Sequence, residues 1–140
     1  MKTNKIEISN TIKAPVEKVW ESWVKPAHIT QWNFAADDWC CPKAENDLRV
    51  GGKYSARMEA KDGSFGFDFE AIYDEVLPME KISCTMIDGR QAITTFENEG
   101  NVTKVTTQFD PEDQNPIEMQ KGGWQAILDN FKKYVENLDG

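Results

Sequence analysis

From Trp124 onward, apolar residues recur every three or four positions: Trp124, Ile127, Leu128, Phe131, Val135 and Leu138. That spacing puts them on one face of an α-helix, while Lys121, Asp129, Lys132, Lys133, Glu136 and Asn137 fall mostly on the other. The pattern predicts an amphipathic helix over residues 115–138, with Asn115 as N-cap, Pro116 in the first helical position and Glu118 near the positive end of the dipole. Lys132, Lys133 and Gly140 mark its far end. At ~1.5 Å per residue such a helix is roughly 35 Å long, and only a broad sheet could cover its stripe. Gly122 and Gly123 fall inside it, each costing about 1 kcal/mol relative to Ala. They mark the true start of the helix, permit close packing, or leave space for a cavity.

The rest of the chain alternates with a period of two, apart from one early interruption. Ile6, Ile8 and Ile12 alternate with Glu7, Ser9 and Thr11, the pattern of a half-buried strand over residues 5–13. Asn10 breaks the apolar face, as a satisfied core amide or a polar spot in a cavity. Pro15 then opens a short helix carrying Val16, Val19, Trp20, Trp23 and Val24, and Pro26 to Trp32 suits a second. Residues 33–47 read as a loop holding Phe34, Trp39, Cys40 and Cys41, a candidate mobile gate.

Strands follow. Tyr54, Ala56, Met58 and Ala60 share a face and Asp62-Gly63 turns the chain. Phe65, Phe67, Phe69, Ala71 and Tyr73 form an aromatic-rich inner face. Ile82, Cys84 and Met86 lead to Asp88-Gly89; Ala92, Thr94 and Phe96 lead to Glu99-Gly100-Asn101; Thr103, Val105, Thr107 and Phe109 finish the run before Asp110-Pro111. Gly51-Gly52 is a bulge or an ordinary turn. Strands joined by short turns are antiparallel neighbours. One strand, two short helices, about six strands and one long helix make a single α+β domain over residues 1–140, its curved antiparallel sheet wrapped around the C-terminal helix.

Composition narrows the function. A net charge of −8 argues against nucleic acid and anionic membrane as partners. No apolar run approaches the ~20 residues of a membrane span, and no signal-peptide pattern opens the chain, so a cytoplasmic location is the default expectation. Cys40, Cys41 and Cys84 give an odd count without a C-x-x-C pair, which fits structural thiols in a reducing compartment. No metal-binding, Walker or dinucleotide motif is present.

Particular runs are familiar. Ala14-Pro15-Val16-Glu17-Lys18-Val19-Trp20, Asp47-Leu48-Arg49-Val50-Gly51-Gly52-Lys53-Tyr54, and Gly123-Trp124 followed by Leu128 and Phe131 resemble the START-like, or SRPBCC, superfamily. Within it, the chain is similar to the bacterial group related to the activator of heat-shock protein 90 ATPase. The resemblance implies a helix-grip fold with an internal cavity that often holds an apolar or amphipathic small molecule. Superfamily members include lipid carriers, hormone receptors, polyketide cyclases and ring-hydroxylase subunits, so fold does not select an activity. The chain corresponds to the START-like domain alone, without the separate N-terminal domain of the eukaryotic co-chaperone.

No catalytic set emerges from the residues. The single histidine, His28, has no nucleophile at a suitable spacing. Asp68 and Glu70 alternate with inward aromatics and so face solvent; Arg57 points outward unless a bulge re-aims it. The candidate ligand-binding residues are Trp39, Tyr54, Met58, Phe67, Phe69, Tyr73, Trp124 and Leu128, with no catalytic residue, metal ligand or cofactor. Three functions fit: binding a small apolar molecule in the cavity, a cyclase-like or hydrolase-like reaction using Asn10, Tyr54 or Tyr73, and partnership with a chaperone, which rests on the resemblance alone.

Overall fold

A computed structural model describes residues 5–34 and 36–138; Gly140, read as a helix-end marker, lies outside them. The order is β1 (Ile6–Ile12), α1 (Val16–Val24), α2 (Pro26–Trp32), β2 (Trp39–Asn46), β3 (Lys53–Ala60), β4 (Gly66–Leu77), β5 (Lys81–Met86), β6 (Gln91–Asn98), β7 (Thr103–Phe109) and α3 (Ile117–Glu136). The strands form one antiparallel sheet in the order β1-β7-β6-β5-β4-β3-β2. It curls into a half-barrel around α3, with α1 and α2 closing one end.

The apolar stripe of α3 is its attachment to the domain. Leu128, Phe131 and Val135 are buried, and the Phe131 ring meets Trp23 and Trp32 edge-on at 4.9 and 4.8 Å. On the other side, polar bonds tie α3 to β1: Asn10 Nδ2 donates to Asp129 Oδ1 at 2.8 Å, and Lys132 Nζ donates to the Thr11 carbonyl at 2.9 Å. Asn10 is therefore a helix-to-strand fastener, neither a core amide nor part of the cavity. Trp32 Nε1 donates to the Ser22 carbonyl and Asn130 Nδ2 to that of Trp32, which satisfies the polar atoms where α1, α2 and α3 converge.

Three local expectations are corrected. Much of the predicted gate, residues 33–47, is the edge strand β2 paired with β3. A register shift between Cys40 and Lys43, with Pro42 inside it, breaks the alternation that would have revealed the strand. The N-cap of α3 is Pro116, not Asn115, and it provides no side-chain bond. Instead the buried Gln120 side chain accepts from the Glu112 amide at 2.8 Å and donates to the Glu112 and Asn115 carbonyls, binding the approach segment to the first turn. Finally, α3 runs through Gly122 and Gly123, so they do not mark its start. A Cβ at either would meet nothing within 4 Å, so they do not serve close packing.

Gly52 does have a steric reason. A Cβ there would lie 2.0 Å from the Asp47 carbonyl oxygen, inside a turn whose Gly51 amide donates to the Tyr73 carbonyl. The Gly51-Gly52 pair is thus a tight turn docked on β4.

Candidate functional site

Where α3 spans the concave sheet it leaves a cavity of about 380 Å³, within the size range of small-molecule sites. The alternation of β3 to β7 supplies one wall: Tyr54 and Met58, Phe67, Phe69 and Tyr73, Ile82 and Cys84, Ala92 and Thr94, then Thr107. The other wall is α3, through Gln120, Trp124, Ile127 and Leu128; Trp23, Trp32 and Asn33 close the helical end. Phe67 and Asn115 are exposed, and Arg90 and Glu112 half-exposed, so these lining residues mark the mouth.

Seven of the eight sequence-predicted residues meet around this space: Tyr54, Met58, Phe67, Phe69, Tyr73, Trp124 and Leu128. Trp39 does not line it. Its ring packs against Phe65 and Phe67 at 5.9 and 6.2 Å, in a cluster at the tip of the β3–β4 hairpin where Phe65 is 60% exposed. Phe65 precedes β4, packs on Phe67 at the hairpin tip and does not line the cavity. Gly123 does not border the cavity either. Arg57 and Glu70 lie in a charged furrow on the opposite face of the sheet, where Arg57 pairs with Glu59 at 2.8 Å and Glu70 with Lys53 at 3.2 Å. His28 is hydrogen-bonded through Nδ1 to the Tyr134 hydroxyl, away from the cavity.

Polar atoms inside the apolar walls are few and mostly partnered. Thr94 and Thr107 join hydroxyls at 2.9 Å across β6 and β7. Asn33 Nδ2 donates to the Tyr54 hydroxyl at 3.1 Å, which leaves the phenolic hydrogen available. The Tyr73 hydroxyl donates to Asn46 Oδ1, and Asn46 Nδ2 donates to the Val24 carbonyl. Burial pushes the Tyr54 and Tyr73 phenols upward and the Cys84 thiol up to about 11, because the charged forms would lose hydration. At neutral pH these groups are uncharged; the Tyr73 phenol donates and the Tyr54 phenol accepts.

Among the polar lining residues, Asn33, Arg90, Thr94, Thr107, Glu112, Asn115 and Gln120 were not picked out as such from the sequence. Thr94 and Thr107 carried a signal, since both occupy inward positions of their strands. Arg90 follows a turn, where alternation assigns no face, and Gln120 lies before the clear part of the helical stripe. Among the described residues, no group of His, Cys, Asp and Glu is placed to hold a metal ion, and no helix is long and apolar enough to cross a membrane.

A curled antiparallel sheet around a long C-terminal helix, with two short helices beside it, defines a START-like protein. The chain belongs to the family described as activator of Hsp90 ATPase homolog 1-like protein, whose model matches residues 13–136. Solved structures agree. An AHSA1-like protein from Aeromonas hydrophila is 41% identical with a TM-score of 0.86, over 94% of this chain and 92% of that one. A Cytophaga hutchinsonii protein is 47% identical with a TM-score of 0.82, over 96% and 94% of the two chains. One from Chromobacterium violaceum is 25% identical with a TM-score of 0.86, over 97% and 100%. No curated protein matches the chain.

Proposed function

We propose that this protein binds a small apolar or amphipathic molecule in the cavity between the sheet and α3. The observation that carries the reading is the cavity itself: about 380 Å³ walled by Met58, Phe69, Trp124, Ile127 and Leu128. Fully burying one large apolar group is worth about 1.5–3 kcal/mol, so such walls favour an apolar guest. The cyclase-like or hydrolase-like alternative has less support, because Asn10 bonds Asp129 outside the cavity and the Tyr54 and Tyr73 phenols are held protonated. Partnership with a chaperone is supported by the family description alone.

Titration of an apolar small-molecule library, with Ala92→Phe as control, tests the proposal. Ala92 is buried on the cavity wall, so a phenyl ring there fills the space. Binding to the native chain and its loss in a folded Ala92→Phe variant are the expected results. No binding across the library, or equal binding by the variant, overturns the reading.

A further inference from the structure

The geometry points to a ligand that carries an acidic head, with Arg90 at the mouth as the group that receives it. This inference rests on the cavity reading above and specifies its ligand class.

Arg90 is the one cationic side chain among the described residues that line the cavity. The Asp88-Gly89 turn delivers it to β6, and Asp88 fixes it there: the Arg90 amide donates to Asp88 Oδ1 at 3.1 Å and Nε donates to Oδ2 at 2.7 Å. Those bonds use the inner nitrogen. Among the described residues the two terminal nitrogens have no hydrogen-bond partner, although the side chain is only 26% exposed. A guanidinium held by Nε and open at its outer edge keeps the fork geometry that takes a carboxylate through two bonds.

The other charges at this end already have partners. Asp110 bonds Lys5 Nζ at 2.6 Å and the Gln91 amide at 2.9 Å. Glu112 accepts from the Asn115 amide at 2.7 Å and from its Nδ2 at 3.3 Å. Asp110 feels the Arg90 charge, which helps hold its carboxyl down, but neither it nor Glu112 bonds the guanidinium, and Asp88 takes only Nε, so the terminal nitrogens remain available to an incoming acid. Away from the mouth the lining turns to Phe69, Met58 and Trp124. An acid at the mouth with its apolar body inside would match both regions.

Calorimetric titration at pH 8 with decanoate, decanol and decylamine separates head from body. Decanoate should bind roughly tenfold or more tightly than decanol, since hydrogen bonds to charged groups exceed neutral ones by about that factor. Arg90→Gln should erase the difference between decanoate and decanol, and Arg90→Lys should restore only part of it. Decanol binding as tightly as decanoate, or decylamine binding tightest through Glu112, overturns the acidic head and leaves the cavity reading standing. Failure of all three to bind overturns both.

Discussion

Trp124 lies flat on Phe109, with ring centroids 3.8 Å apart and planes inclined by 10°. The same indole meets Phe69 edge-on at 6.3 Å, so one side chain seats α3 on β7 and also walls the cavity opposite β4. Offset stacking adds about 0.5–1.5 kcal/mol beyond burial. Attachment and ligand space therefore share a residue, and a change at Trp124 affects both.

Phe131 serves attachment alone. It is 0% exposed, is absent from the cavity lining and packs edge-on against the stacked Trp23 and Trp32. Phe131→Ala should destabilise the protein by about 3–5 kcal/mol in chemical denaturation. A loss below about 1 kcal/mol would contradict the packing.

Gly122→Ala and Gly123→Ala should each stabilise by about 1 kcal/mol, because both sites are helical and nothing lies within 4 Å of an added methyl. Thermal melts of the single and double variants check this. A fall in the midpoint would show that the helix needs its glycines.

Alkaline pH should weaken the fold. Burial raises the Cys41 and Cys84 thiols from 9.0 to about 11. Above pH 9 the unfolded chain releases protons that the native state retains, so the slope of unfolding free energy against pH is negative from about 9 to 11. That stability is present in full below pH 9. Urea midpoints measured across the interval should fall, and Cys84→Ala should flatten the decline.

Asp110 gives the opposite dependence. The hydrogen bond from Lys5 holds its carboxyl below the usual range, with the Gln91 amide assisting. Its stabilisation is present above the ordinary carboxylate range and disappears as pH falls through the lowered native value. Asp110→Asn should cost under about 1 kcal/mol at pH 7, the scale of a partly exposed pair, and nothing near pH 2. A difference that persists in acid would assign the effect to packing.

The fold was legible where periodicity was unbroken. Val105 and Phe109 on β7, Leu128, Phe131 and Val135 on α3, and the turns at Gly63 and Gly89, both with φ near the left-handed region, stand where alternation and turn chemistry put them. The edge strand β2 escaped because Cys40, Cys41 and Pro42 occupy a register shift, where inside and outside exchange without warning. The cavity walls could be read from alternation at Tyr54, Phe67 and Tyr73. Its mouth could not, since Arg90 and Glu112 sit on connections, where alternation assigns no face and direction is set by local side-chain bonds to Asp88 and Asn115.

The first strand completes one edge of the sheet by pairing with the last: Ile6 faces Phe109, and Lys5 bonds Asp110 across 105 residues of chain. During synthesis β1 emerges first and remains without its ladder partner until β7 has left the ribosome. Its Ile6, Ile8 and Ile12 side chains meanwhile have no finished core to enter. Closure of so long a loop makes the final assembly slow relative to helix or hairpin formation, and until then the apolar strand stands unpaired.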